Sequence, residues 1–203
     1  MSTMQNTPFA QSETRRLLSQ ALLDEHRARQ QYLRAAEQCD DQQLHVVAHT
    51  LRFTAAQEKE HAAIFQGLLR ANGSEAPDLT ASEETLIPEP VPLLLSLARQ
   101  EHDEWDVRYP EAARIALEEG YPRISTAFLR IADTEHIHAR RFVQFAEALQ
   151  QGALFTDSGR TGWLCLPCGQ MHYGTCAPDV CSTCGRDRGH FIRSSFEPFT
   201  VYP

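Results

Sequence analysis

Two Glu-x-x-His pairs, Glu58-Lys-Glu-His61 and Glu135-His-Ile-His138, constrain this chain more than any other feature. Each lies in a long stretch of helical periodicity. Residues three apart on a helix share one face, so each carboxylate and imidazole can reach one metal ion together. One such pair is common on helices and says little. Here the order along the chain is Glu25, then Glu58/His61, then Glu101/Glu104, then Glu135/His138. That order supplies the ligands of a di-iron or di-manganese four-helix bundle, with one carboxylate in addition. Burying an ionised carboxylate alone is very costly, so it must pair or neutralise. Five carboxylates and two imidazoles converging at mid-helix call for cations. Oxygen donors with imidazole suit iron, with manganese as the alternative.

The helices follow from apolar spacing. Residues 14–38 carry Leu18, Leu22, Glu25, Arg29, Tyr32 and Ala36 at helical intervals, with Ser12 or Thr14 as N-cap. Residues 42–71 place Val47, Leu51, Thr54, Glu58, His61 and Phe65 on one stripe, with Asp40 or Asp41 as cap and Asn72-Gly73 as stop. The stretch 72–91 has three prolines and no clear period, and so predicts a long crossover between parallel second and third helices. A third helix starts near Pro92 and carries Leu94, Leu97, Glu101, Glu104 and Arg108. Pro110 falls inside this pattern and predicts a kink or break. After Gly120-Tyr-Pro122, the fourth stripe runs Ile124, Phe128, Ile131, Glu135, His138, Phe142 and Phe145, and Gly152 ends it.

Other polar residues have plainer readings. Glu101 and Glu104 lie among Arg99, His102, Asp103 and Asp106, where a solvated face competes with ligation. Glu37, Glu60, Glu118 and Glu119 read as surface. His26, His45, His49, His102 and His136 read as outside the ligand set. Tyr32 and Tyr109 are either core aromatics or hydroxyls that hold ligand carboxylates in place.

Composition shifts to Cys, Gly and Pro near the C-terminus. Cys165-Leu-Pro-Cys168 and Cys181-Ser-Thr-Cys184 form two knuckles suited to a tetrathiolate site. Four sulfurs suit a single iron or a structural zinc, and a domain this small needs such a staple. Cys39 and Cys176 read as free thiols. The expected organisation is a bundle over 1–152, a linker over 153–162 and a small metal-binding β/loop domain over 163–203. A net charge of −8 argues against nucleic acid as partner. No apolar run is long enough to span a bilayer, and Met1 to Gln20 lack a secretory h-region. CxxC pairs fit a reducing cytoplasm. With no GxGxxG or Walker motif, nicotinamide electrons would have to arrive through another protein.

Four blocks carry a resemblance to the rubrerythrin family: Glu25 to Tyr32, Glu58 to Ala62, Glu101-His-Asp-Glu104 leading to Tyr109-Pro110, and Glu135 to His138 leading to Arg141-Phe142. A fifth, rubredoxin-like block runs from Trp163 to Cys184. The resemblance implies a ferritin-like four-helix bundle with a long crossover, fused to a rubredoxin-like domain. It implies Glu25, Glu58, His61, Glu101, Glu104, Glu135 and His138 as ligands of two non-haem irons, and Cys165, Cys168, Cys181 and Cys184 around one FeS₄ iron. It further implies an iron that moves between Glu104 and His61 with redox state. The implied activity is a peroxidase that reduces hydrogen peroxide to water in oxidative stress defence, with electrons relayed through FeS₄. An external donor, either an NAD(P)H-dependent reductase or a small redox protein, and a homodimer complete the expectation. A ferroxidase of the ferritin-like class is the alternative, and a zinc-ribbon adaptor is a further one. Two positions depart from the family pattern: Cys176 stands where a small residue is usual, and Ser182 where proline is usual.

Overall fold

The computed structural model describes residues 8–78 and 85–196. Its helices are α1 (Glu13–Asp41), α2 (His45–Ala71), α3 (Pro90–Asp103), α4 (Tyr109–Glu118) and α5 (Pro122–Gln150). Strands β1 (Thr156–Cys165), β2 (Met171–Cys176) and β3 (Phe191–Arg193) form an antiparallel sheet in the order β2-β1-β3. Among the described residues, no helix is long and apolar enough to cross a membrane.

Ser12 is the N-cap of α1, and its Oγ accepts from the backbone N–H of Arg15 at 3.1 Å. A second group secures the same end. Glu119, read from sequence as surface, is half-buried and accepts from the N–H of Glu13 and of Thr14 and from the Thr14 hydroxyl. A carboxylate placed on these free donors is favoured by the helix dipole. Asp40 and Asp41 do not cap α2. Its N-cap is Leu44, and Asp40 instead bonds His45 and Arg52.

At Pro110 the chain does not break into helices joined by a loop. A π turn, Glu104–Arg108, joins α3 to α4, and the Tyr109 N–H donates to the Glu104 carbonyl. Widening the ladder here accommodates a residue that has no N–H to give. It also sets the faces. In an unbroken α-helix Tyr109 would sit about 140° away from Glu104. The wider turn brings both side chains inward, and both are buried.

The apolar core has two halves. One holds Ala35 and Ala36 of α1, Val47 and Leu51 of α2, Leu94 and Leu97 of α3, and Phe142 and Phe145 of α5. The other holds Leu18, Phe65, Leu69, Ala112, Ala116, Ile124 and Phe128. The start of α2 therefore shares an end of the bundle with the start of α3. The two helices run parallel, as the long connection requires. Residues 79–84 of that connection lie outside the described residues. The acidic and histidine ligand candidates fall between the two halves.

Stretch 156–162, read as linker, already belongs to β1, although its register with β2 shifts between Thr156 and Thr161. Trp163, Phe191 and Ala177 fill a small separate core. Leu154 and Ile192 instead join the bundle's core, and Leu164, Leu166 and Phe196 pack against it. The cysteine-bearing sheet is thus seated on the end of its own bundle.

The closest backbone approach in that seat is at Gly189. A Cβ there would lie 2.1 Å from the Gln43 carbonyl oxygen and 3.1 Å from the His45 ring. Gly67, in the interior of α2, has open space around it. Gly189→Ala should cost about 1–3 kcal/mol by overpacking, whereas Gly67→Ala should add up to about 1 kcal/mol. Urea unfolding of the two variants measures both. Equal midpoints would show that the Gly189 contact carries no such constraint.

Candidate metal centres

α1, α2, α3 with its π turn, and α5 each bring one block of the ligand candidates inward. Glu25, Glu58, His61, Glu101, Glu104, Glu135 and His138 are all buried, none more than 8% exposed. Six of them form two groups whose donor atoms lie within 4.8 Å of one another. The first is Glu25, Glu58, His61 and Glu135; the second is Glu58, Glu101, Glu135 and His138. Glu58 and Glu135 belong to both, so they sit where bridging carboxylates would sit. Glu25 with His61 and Glu101 with His138 are the terminal pairs.

The two halves match in detail. His61 Nδ1 lies 3.0 Å from Glu58 Oε2, 2.9 Å from Glu135 Oε1 and 3.6 Å from Glu25 Oε2. His138 Nδ1 lies 3.0 Å from Glu58 Oε1, 2.7 Å from Glu135 Oε2 and 3.8 Å from Glu101 Oε1. The Tyr109 hydroxyl donates to Glu25 Oε1 at 2.6 Å, and the Tyr32 hydroxyl donates to Glu101 Oε1. Each tyrosine thereby occupies one oxygen of a terminal carboxylate and turns the carboxylate's remaining lone pairs toward its group.

Donor chemistry fits cations. Glu25 Oε2, Glu58 Oε1, both Glu135 oxygens and His138 Nδ1 are buried and have no aligned hydrogen bond. Buried polar atoms are rarely left so, and here they converge. His138 Nε2 lies 3.1 Å from the Gln57 side-chain oxygen. That contact keeps a ring proton on Nε2, so the inward-facing Nδ1 is the nitrogen that becomes a metal donor once its own proton leaves. Gln57 had no sequence signal beyond preceding Glu58; its neighbour Arg141, which closes the fourth resemblance block, donates to Thr54 and Gln57.

Glu104 stands apart. It is buried, yet it belongs to neither group. Its Oε1 accepts from Arg108 Nη1 at 2.9 Å, and Arg108 also pairs with Asp24. The i, i+4 spacing of Glu104 and Arg108 was a readable signal for this pair. His102, Trp105 and His136 form a ring cluster beside the π turn, with Trp105 and His136 centroids 3.9 Å apart. His26 and His49 also lie outside both groups.

Electrostatics record the strain of the metal-free arrangement. Burial, reinforced by Glu135 and Glu58, raises Glu25 well above the usual carboxylate range. Burial, then Glu58 and Glu135, lifts Glu101 to about 8. Burial, then Glu25 and Glu101, raises Glu104. Burial pushes Glu58 up as well, but His138 and His61 pull it down to about 2. Burial would lower His61 and His138, and the surrounding carboxylates override it and raise both.

The four knuckle cysteines form a third group within the same 4.8 Å limit. Cys165 Sγ lies 3.6 Å from Cys184 Sγ, and Cys168 Sγ lies 3.7 Å from Cys181 Sγ. A tetrahedral site with metal–sulfur bonds of about 2.3 Å has sulfur–sulfur edges of about 3.8 Å. The knuckles turn at Gly169 (φ 74°) and Gly185 (φ 73°), a backbone region that favours glycine. His172 Nε2 sits 3.8 Å from Cys181 Sγ. Burial would raise Cys181, but the Cys184 N–H, His172 and the Thr183 N–H bring it down to about 5, favouring a thiolate. Cys176 is an exposed free thiol, and Cys39 is a buried one, which burial raises to about 11.

Loading the bundle must release protons. Burial raises Glu25 and Glu104 and lifts Glu101 to about 8, and the surrounding carboxylates raise both histidines, so a cation must displace protons held there. Affinity for a divalent cation should therefore rise with pH through the neutral range to 8. Calorimetric titration with cobalt(II) in two buffers of different ionisation heat counts the protons. An apparent enthalpy that does not depend on buffer would contradict the assignment.

Comparison with known proteins places this geometry. The rubrerythrin family profile matches residues 16–145 and 93–160. Rubrerythrin from Nitratidesulfovibrio vulgaris is 34% identical over 181 residues, covering 89% of this chain and 93% of that protein. Rubrerythrin from Porphyromonas gingivalis is 30% identical over 190 residues, covering 93% and 94%. Among solved structures, mixed-valent nigerythrin superposes with a TM-score of 0.62 at 23% identity, covering 95% of this chain and 96% of that one. The bacterioferritin of Desulfovibrio desulfuricans gives 0.63 at 21% identity, covering 70% and 82%, and shares the bundle fold. The chain belongs to the rubrerythrin family, whose di-iron site and rubredoxin-like iron site its Glu/His groups and its four cysteines match.

Proposed function

We propose that this protein is a peroxidase that reduces hydrogen peroxide to water at the bundle site, with electrons relayed through the tetrathiolate iron. The observation that carries the reading is the pair of four-donor groups sharing Glu58 and Glu135, beside a fifth buried carboxylate, Glu104. The overall reaction joins one peroxide, two electrons and two protons into two waters. Bound ferrous ions would supply the two electrons that break the O–O bond.

The chain's own residues prepare that chemistry. Glu58 and Glu135 fix the spacing of the two positions, and Glu25 and Glu101 close their ends. Tyr109 and Tyr32 keep those end carboxylates from turning. Core aromatics on both sides keep bulk water away, including Phe65, Phe128 and Phe142. Glu104 is the alternate ligand to His61. With His61 turned into the first group, Arg108, itself paired with Asp24, takes the carboxylate of Glu104 instead. Electrons would come from an external donor, either an NAD(P)H-dependent reductase or a small redox protein. We place the protein in the cytoplasm as a homodimer.

A ferroxidase reading draws on the fold shared with bacterioferritin. The fifth carboxylate and the tetrathiolate favour the peroxidase. Stopped-flow mixing of reduced protein with peroxide and with oxygen separates the two: oxidation should be fast with peroxide and slow with oxygen. The reverse order would establish the ferroxidase. Glu104→Gln should cut peroxide turnover at least tenfold, on the order of a lost charged ligand or hydrogen bond. Undiminished turnover would remove Glu104 from the mechanism. Arg108→Met should free Glu104 for the metal and tighten cobalt(II) binding several-fold, about 1 kcal/mol once solvent at the guanidinium is discounted. Weaker binding would mean that Arg108 supports the site and does not compete for Glu104.

A further inference from the structure

A fourth cluster lies where the cysteine-bearing sheet meets the bundle. His45 opens α2, while Asp187 and His190 flank the short turn before β3. The three offer donor atoms within 4.8 Å of one another, apart from every ligand group described above. His45 Nε2 lies 3.8 Å from Asp187 Oδ2, and His190 Nδ1 lies 3.3 Å from Asp187 Oδ1. The two imidazole rings stack with centroids 4.0 Å apart and 28° between their planes.

We propose that His45, Asp187 and His190 form a third metal site, for a borderline divalent cation such as zinc, that pins the sheet to the α1–α2 turn. Two imidazoles and one carboxylate make a three-ligand set that suits zinc and leaves a position for water. Asp187 is half-exposed, which leaves that position open to solvent.

The residues around the cluster favour this use. Asp40 Oδ1 accepts from His45 Nδ1 at 2.7 Å, and Arg52 holds the other Asp40 oxygen. A proton fixed on Nδ1 leaves the lone pair of Nε2 for the cation, the arrangement that carboxylates impose on metal-binding histidines. The Gly189 N–H donates to Asp187 Oδ1 at 2.8 Å and steadies the carboxylate. Gly189 itself lets the turn approach the Gln43 carbonyl. The ligands come from the start of α2 and from the turn before β3, so a bound ion would tie the sheet to its own bundle. This proposal does not depend on the peroxidase reading.

The test uses the iron-loaded full chain dialysed against micromolar zinc(II), with bound zinc and iron measured by elemental analysis. Wild type should retain one zinc per chain beyond its iron content, and the double variant His45→Gln/His190→Gln should retain none. Unchanged iron content and visible absorption in the variant would show that the bundle and tetrathiolate remain intact. Asp40→Asn should keep the stoichiometry and weaken zinc affinity at least tenfold. A merely structural Asp40 would leave that affinity alone. Equal zinc in wild type and double variant, no extra zinc in wild type, or zinc gained only as iron is lost would each overturn the site.

Discussion

Everything in the bundle answers to one electrostatic constraint: acidic and basic groups have been gathered where water cannot reach them. Five carboxylates and two imidazoles lie at the middle of the helices, nearly all without solvent contact. Without cations the cluster accommodates itself by protonation, with Glu25, Glu101 and Glu104 raised and the two histidines charged. Such a core gains little stability from its own ion pairs, because desolvation offsets their attraction. Cations held between Glu58 and Glu135, as proposed, would remove the conflict. The flanking apolar halves, with Phe142 and Phe145 on one side and Phe65 and Phe128 on the other, supply the rigidity that keeps the donors together.

Near-symmetry of the two positions makes their one difference informative. Each has a terminal glutamate, a histidine presenting Nδ1 and a tyrosine hydroxyl on the glutamate. A further buried carboxylate, Glu104, interacts most strongly, among the carboxylates, with Glu25 of the His61 group and is held by an arginine that also pairs with Asp24. If Glu104 ligates as proposed, its two alternative partners, a cation or the Arg108 guanidinium, would give that side a choice of ligand. The π turn makes it available, since it brings Glu104 and Tyr109 inward together.

Much of this was legible in the sequence. The helical stripes named all seven buried donors, and the proline-rich connection implied parallel second and third helices. The paired CxxC knuckles located the tetrathiolate. What escaped was set by tertiary contact. Pro110 looked like a helix breaker, and only the adjoining π turn shows how the helix continues. Glu119 looked like surface because its role, capping α1, needs residues far away in the chain. Gln57 orients His138 from a position with no periodic signature. His45 lies outside the bundle's two donor groups, and its stacking on His190 joins distant segments with no local pattern to betray it.

The central claim is that two metal ions share Glu58 and Glu135 inside the bundle. Anomalous diffraction at the iron edge, on crystals of protein purified without oxygen, tests it most directly. The account predicts two iron peaks between the four helices, both in contact with Glu58 and Glu135, one beside His61 or Glu104 and the other beside His138. A bundle with no metal, with a single ion, or with ions that do not touch both bridging carboxylates would contradict it.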